Sequence, residues 1–524
     1  MKIALCYAPS EQQFIPVPPL GIAVLKSYLK QHKKNVTTFD LELELWLSQG
    51  YKSSEFAQKD NFIIDETKIE LDSIIEKLKS FEIICFSIMG KRQIPYSKMI
   101  IQNLRNKQRK FIVGGAFITE GNSFDVLDTI DADYAIIGEG WKPMLQLINE
   151  IEGKNYDYSC FNVNEKNGKV VIKNNSKEKV QIPEADYSDI NLEGYIKQQK
   201  KLYKIDYNDI NYQLLVGDRC CPYNCSFCRI SKNTETIKDA IDISNEMISM
   251  HNAYGCKNFS LICNEMNPTK KFINEFTNNL ISANLNLNWF CYLRPNNLSK
   301  LDLRRIKQAG CVLVRYGVES GSQKILDHMN KKLYVDEMKQ ILKDSHEVGL
   351  WNHINIMTGY LHENDNDIQQ TIDFINDNSD YIDSVRVNPF FVPIDSPIHK
   401  DPEKFGISII EDTGSYISFN EKINSWDEKV IQIQKSTDAI LKECKKHNIG
   451  FAGILPNLVS TVVEYFNDKK LAKKWLEDNH SYLWEPLSPD TAKWKLAHPE
   501  TIDVVINPWE KISGQRGENY QTRI

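Results

Sequence analysis

Cys221-Pro222-Tyr223-Asn224-Cys225-Ser226-Phe227-Cys228 is the stretch on which the reading of this chain turns. Cys221, Cys225 and Cys228 are spaced C-x3-C-x2-C. At this cysteine frequency chance would place that spacing in only about 0.006 chains of this length. Three close thiolates suit a soft metal, either zinc or an iron–sulfur cluster. A structural zinc wants a fourth protein ligand, and neither Cys nor His occurs in residues 229–250. Three cysteines on an iron–sulfur cluster leave one iron open, which is a reactive arrangement. Cys220 lies outside the spacing and reads as a bystander.

Downstream of the cysteines, β and α patterns alternate to about residue 400, and each predicted strand ends in a polar group. Residues 258–262 run into Cys263-Asn264-Glu265, and 289–293 into Arg294. Residues 311–318 run into Glu319-Ser320-Gly321-Ser322. Residues 353–357 lead to Gly359-Tyr360-Leu361-His362-Glu363, and 385–391 to Val392-Pro393-Ile394-Asp395-Ser396-Pro397. Upstream, the first 150 residues also alternate, with short apolar runs at 2–7, 36–39, 83–88, 111–113 and 134–137. That pattern predicts a doubly wound parallel sheet, which binds ligands beyond the carboxyl ends of its strands. Residues 151–205 read as a linker with a hairpin signal at Asn167-Gly168. Helical patterns dominate from 406 to 524, for example at 428–446 and 458–475.

The chain has 524 residues, 41% hydrophobic and 26% charged, an ordinary globular composition that argues against a fibrous repeat or a long disordered tail. The net charge of −6 gives no overall basic excess, so a nucleic-acid partner is not expected. No 18-residue apolar window marks a membrane span, and the amino-terminal apolar run is too short for a secretory signal. With twelve cysteines, this predicts a reducing, cytoplasmic location.

With Phe227 before its last cysteine, the cluster motif resembles that of the radical S-adenosylmethionine (SAM) superfamily. The resemblance implies a 4Fe–4S cluster on Cys221, Cys225 and Cys228, whose open iron chelates the amino and carboxylate groups of SAM. It implies one-electron cleavage of SAM to methionine and a 5′-deoxyadenosyl radical, which takes hydrogen from an unactivated carbon. It further implies a partial (β/α)6 TIM-type barrel with the site at the strand carboxyl ends. SAM contacts are then expected from Phe227, Asn264, Glu265, Arg294, Glu319, Ser320, Gly359 and Glu363. Two turns depart from the family pattern. Asn264-Glu265 stands where many relatives carry Asp-Asp, and Tyr360-Leu361-His362 where they carry Leu-Pro-Gly.

The first 150 residues resemble the cobalamin-binding domain that precedes the barrel in one large radical SAM class. The resemblance rests on Pro18-Pro19-Leu20-Gly21, Asp40, Ser87, Gly114-Gly115 and Gly138-Glu139-Gly140. It implies cobalamin contacts from Pro19, Leu20, Gly21, Ser87, Gly90, Gly114, Gly115, Ala116, Gly138, Glu139 and Gly140. Glycines let backbone approach a flat corrin or its nucleotide loop. The cobalt-ligating pattern Asp-x-His-x-x-Gly is missing from this region, and its one match, Asp344-Ser345-His346-Glu347-Val348-Gly349, falls in the barrel region. His32 is the only histidine before residue 251, so no protein histidine is expected on cobalt.

The expected architecture is therefore α/β. A Rossmann/flavodoxin-like cobalamin-binding domain spans 1–150, a linker 151–205, a partial barrel 206–405 and a helical, substrate-shaping domain 406–524. The activity implied is a cobalamin-dependent radical SAM C-methyltransferase, in which methylcobalamin gives methyl to the substrate radical. A radical rearrangement, oxidation, cyclisation or epimerisation on the same architecture is the alternative, and a cobalamin or iron–sulfur sensor is the non-enzymatic one. A methylthiotransferase would need three amino-terminal cysteines for a second cluster. Cys6 and Cys85 sit in apolar strands and Cys160 in the linker, which argues against it. Expected partners are a small-molecule or peptide substrate and an electron donor such as a flavodoxin or ferredoxin.

Overall fold

The computed structural model describes residues 1–10, 17–49, 71–118, 121–174, 183–217, 221–230, 238–393, 396–412, 416–422, 424–451 and 456–484. These fall into two compact units that divide between Leu202 and Tyr203.

The first unit is built on seven strands: β1 (Lys2–Tyr7), β2 (Asn35–Asp40), β3 (Ile83–Ser87), β4 (Lys110–Gly114), β5 (Tyr134–Ile137), β6 (Phe161–Lys166) and β7 (Lys169–Asn174). Their order is β2-β1-β3-β4-β5-β7-β6. The first five are parallel and follow the 2-1-3-4-5 order of a flavodoxin-like doubly wound sheet. Both faces are covered, which is why the strands read as continuous apolar runs. Ala4, Cys6, Ile84, Phe86, Phe111 and Val113 share one core with Ile74, Ile100 and Leu127 of the helices Asp72–Leu78, Ile94–Leu104 and Ser123–Ile130. The alternate residue Cys85 faces the other way, 4.0 Å from Met144 of the helix Trp141–Ile151.

Two boundaries differ from the sequence expectation. The stretch 151–205 is not a free linker. Its hairpin, turning at Asn167-Gly168, adds two strands to the first sheet, with β7 parallel to β5. Val171 and Ile172 are buried there, whereas β6 is exposed at nearly every position. An edge strand with solvent on both faces carries the polar composition of a linker. The region from 406 likewise opens with strands before it becomes helical. β14 (Val392–Pro393), β15 (Ile407–Asp412) and β16 (Tyr416–Glu421) form a small antiparallel sheet.

The second unit carries six strands: β8 (Asn211–Leu215), β9 (Asn258–Ile262), β10 (Asn288–Leu293), β11 (Cys311–Glu319), β12 (Trp351–Thr358) and β13 (Ser384–Pro389). They pair in sequence order, all parallel. Helices between them pack outside, as when Phe276 meets Trp289 edge-on at 5.2 Å. This is the partial six-stranded barrel that the family resemblance implies. The helix Pro456–Phe466 packs at its amino-terminal end, where Asn211 donates to Thr461 Oγ1 at 2.9 Å. The helical pattern at 458–475 is two helices, because Asp468 caps a new one by accepting from Lys470 N and Leu471 N. Among the described residues no helix is long and apolar enough to cross a membrane.

Candidate functional site

The cysteine loop lies against the carboxyl-terminal end of the barrel and is fixed there by contacts from distant segments. Ser226 N donates to Met329 O at 2.9 Å. Ser226 Oγ donates to His328 O at 3.1 Å and lies 2.8 Å from the Tyr360 hydroxyl. Asn330 donates to Asn224 O at 2.7 Å, and Ile398 N donates to Ser226 O at 3.2 Å. The spacing motif carried no signal for Ser226, His328, Asn330 or Tyr360. They are assembled by the fold.

Around the loop stand charged groups from three strand ends and from Lys331, which follows the helix Gln323–His328. Glu265, beyond β9, brings Oε2 to 3.8 Å from Cys221 Sγ. Arg294, ending β10, places Nη1 3.9 Å from Cys225 Sγ and its guanidinium 3.6 Å from the Tyr223 ring centre. It also bonds Lys331 O. Glu319, ending β11, pairs with Lys331 Nζ at 2.9 Å, and that ammonium lies 5.4 Å from the Phe227 ring centre. Burial pushes the Glu265 carboxyl up to about 8, partly offset by Arg294 and Lys331. Its Oε1 is buried with no partner among the described residues. Burial likewise pushes the Cys221 thiol up to about 12, and the Cys228 thiol up.

The expected SAM residues therefore divide. Phe227, Glu265, Arg294 and Glu319 gather at the cysteine loop, and Lys331, which sequence reasoning missed, joins them. Asn264 is exposed beside Glu265. Ser320 is fully buried, 3.3 Å from Thr371 Oγ1, and accepts from Ser322 N. Glu363 closes its own turn, accepting from Gly359 N at 2.6 Å. Ser320, Gly359 and Glu363 thus shape the strand-end turns, and their hydrogen-bonding groups just named serve the chain itself.

The donor set fits a cluster better than a single ion. Three cysteines sit on one short loop, and no fourth Cys or His follows in residues 229–250 for a structural zinc. Cluster cysteines each bind a different iron and so stand farther apart. The orphaned Glu265 oxygen sits where a cationic group would satisfy it.

In the first unit, parallel strands bring all the glycine turns to one edge of the sheet. Ala8 N donates to Ser87 O at 3.2 Å, and Ile88 N to Gly114 O at 2.7 Å. Gln93, also missed from sequence, donates to Ala8 O and accepts from Met89 N. Gly115 has φ +108°, and a Cβ there would stand 2.3 Å from Ile88 O. A Cβ on Gly21, Gly90 or Gly140 would meet nothing within 4 Å. The edge thus offers open backbone at three turns, a cradle that suits a large flat ligand. Asp40, on the same edge, is committed internally to Leu43 N and the Tyr195 hydroxyl. His32 caps the far end of the helix Leu20–Gln31 and bonds Tyr28 O.

Residues 218–375 match the model of the radical SAM superfamily. An uncharacterised methyltransferase of Pyrococcus horikoshii is 22% identical over 386 residues, 71% of this chain and 77% of that protein. An anaerobic magnesium-protoporphyrin IX monomethyl ester cyclase of Rubrivivax gelatinosus is 26% identical over 260 residues, 46% of this chain and 44% of that protein. The fold is similar to that of the radical SAM methyltransferase TsrM of Kitasatospora setae, solved with cobalamin and a [4Fe–4S] cluster. The TM-score is 0.61 at 14% identity, covering 91% of this chain and 100% of that one. It is also similar to the cobalamin-dependent radical enzyme OxsB, with a TM-score of 0.59 at 15% identity over 99% of this chain and 82% of that one.

Proposed function

From the radical SAM domain that the chain carries, we propose a cobalamin-dependent radical SAM enzyme that acts as a C-methyltransferase. The observation that carries the reading is the cysteine loop with Glu265, Arg294, Glu319 and Lys331 gathered around it at the barrel mouth. Cys221, Cys225 and Cys228 would hold a 4Fe–4S cluster, which when bound supplies the electron that cleaves SAM. Glu265 would take the SAM amino group on its unpaired oxygen, since a buried carboxylate is stabilised by a cation. Arg294 and Lys331 supply positive charge for the SAM carboxylate. Phe227 and the buried Tyr360 pack edge-on beside the loop, with 6.4 Å between ring centres. The glycine turns of the first unit would cradle cobalamin, which when bound serves as methyl carrier. Support for the methyl outcome comes from the methyltransferase relative and the methyltransferase of like fold. The similarity to the cyclase favours one second reading, an oxidative cyclisation without methyl transfer. An electron donor such as a flavodoxin or ferredoxin is required by the chemistry in either case.

The test uses the anaerobically reconstituted chain with methyl-labelled SAM. About four irons and four sulfides per chain are expected, with 5′-deoxyadenosine formed and label passed to cobalamin or substrate. Deoxyadenosine without any transfer of label supports the cyclase-like alternative. A full cluster retained in the Cys221→Ala/Cys225→Ala/Cys228→Ala variant overturns the assignment.

A further inference from the structure

The barrel interior beneath the cysteine loop holds cations beyond those assigned above to SAM. Register decides which side chains line it. Tyr316 meets Ser345 of the outer helix Val335–Glu347 at 3.0 Å, and Asn352 meets the same serine at 2.6 Å. Alternation along the strands therefore turns Arg315, Gly317, His353 and Asn355 inward. Tyr292, Arg315, His353 and Ser384 are register partners across β10–β13 and form one layer. Gly317, Asn355 and Arg386 form the next layer toward the mouth. A Cβ on Gly317 would stand 3.1 Å from Lys331 Nζ, so this second layer adjoins the charged groups around the cysteine loop.

Three observations make the two layers a site. Arg315 is buried, with its guanidinium 4.5 Å from the Tyr292 ring centre. The Arg386 side chain makes no hydrogen bond or ion pair with any described residue, and its charge acts on both Arg315 and His353. His353 is 2% exposed, and its Nε2 has no partner among the described residues. Burial and the two arginines hold the imidazole neutral. Trp351 Nε1 donates to Ser384 Oγ at 2.9 Å, and His353 Nδ1 lies 2.9 Å from the same oxygen. The serine hydroxyl can either donate to Nδ1 or accept from it, and the arrangement in which it donates leaves the imidazole proton on Nε2. Two guanidiniums and one imidazole thus face the same interior, Arg315 and His353 buried and Arg386 half-buried, and no inward position of β8–β13 below Glu319 is Asp or Glu.

We propose that these layers hold an anionic group of the substrate, a carboxylate or a phosphate, between Arg386 and Arg315 with His353 Nε2–H as third donor. Guanidiniums bind such oxyanions through paired, charge-assisted hydrogen bonds. The substrate is then an organic acid or a phosphate ester, anchored by its anion below SAM. The proposal rests on the radical SAM reading for its placement of SAM at the barrel mouth.

Reconstituted, SAM-bound holoenzyme is titrated by equilibrium dialysis with benzoate, benzamide and inorganic phosphate. Benzoate or phosphate is expected to bind stoichiometrically and benzamide not at all. Preference for benzoate assigns a carboxylate substrate, and preference for phosphate a phosphate ester. Arg386→Met and Arg315→Met each weaken anion binding at least about 30-fold. Arg386→Lys restores most of it, and SAM affinity is unchanged in all three. Cluster content and circular dichroism identify a misfolded variant, and Arg386→Lys against Arg386→Met then decides alone. Absence of anion binding, or undiminished binding in Arg386→Met, overturns the proposal. Parallel loss of SAM affinity also overturns it, by assigning the arginines to SAM's own carboxylate. Failure of the radical SAM reading is a different result: the wild-type chain binds the anion yet forms no 5′-deoxyadenosine.

Discussion

At the residue scale, Glu319 is the position whose backbone already marks it. It has φ +66° at a bulge ending β11, a conformation that costs a non-glycine residue about 1–3 kcal/mol and persists where its surroundings impose it. Here those surroundings are Lys331 and the cysteine loop. Glu319→Ala is expected to weaken SAM binding about 10–100-fold, the loss of one or two charge-assisted contacts, while iron and sulfide content stay unchanged. Glu319→Gln guards against misfolding, because removing one partner of a buried ion pair costs about 3–5 kcal/mol. Unchanged SAM affinity in both variants rejects the role. Glu363 makes a different prediction. Burial pushes its carboxyl from 4.5 up to about 7, partly offset by the Gly359 amide. Between those values the folded chain holds a proton that the unfolded chain releases, so this group's contribution to stability falls as pH rises and is lost above about 7. The difference of about 2.5 units corresponds to about 3 kcal/mol. Glu363→Gln should therefore show a smaller fall in Tm from pH 5 to pH 8 than the wild type. An equal fall would show that the carboxyl is not the titrating group.

At the scale of elements, the strand-end turns are where packing decides. Gly115 joins the turns after β3 and β4 so closely that a methyl group would strike the Ile88 backbone at 2.3, 2.7 and 2.9 Å. Backbone atoms cannot swing aside as a flexible side chain can. Gly115→Ala is expected to destabilise the first unit by at least about 3 kcal/mol, seen as a lower unfolding transition with cluster content retained. A transition within error of wild type would mean the turn tolerates separation. The same scale shows how sequence reading succeeds and slips. β9 and β10 were legible because short apolar runs end in polar groups. The hairpin of β6 and β7 was legible at Asn167-Gly168, but not its place in the first sheet, because an edge strand exposed on both faces buries too little to show a period.

For the whole molecule, the cofactor assignment of the first unit has a spectroscopic consequence. His32 follows the helix Leu20–Gln31, whose other end carries the Pro19 turn on the ligand edge. Twelve residues of helix span about 18 Å, whereas a histidine ligand must approach a metal to about 2 Å. Bound cob(II)alamin should then give an electron paramagnetic resonance signal without nitrogen splitting. A nitrogen triplet that disappears in His32→Ala would contradict the placement, and absence of cobalamin uptake would move the chain to cobalamin-independent chemistry. What the sequence determined by itself was local and periodic: C-x3-C-x2-C, the alternation of strands and helices, and the glycine turns. Each is written in neighbouring residues, because spacing and backbone freedom are short-range properties. Only the tertiary structure decided that Ser226 would be tied to His328 and Tyr360, that Lys331 would pair with Glu319, and that Arg315, His353 and Arg386 would face one interior. Those contacts join residues from 12 to more than a hundred positions apart, and they follow from strand order and register, which no local pattern encodes.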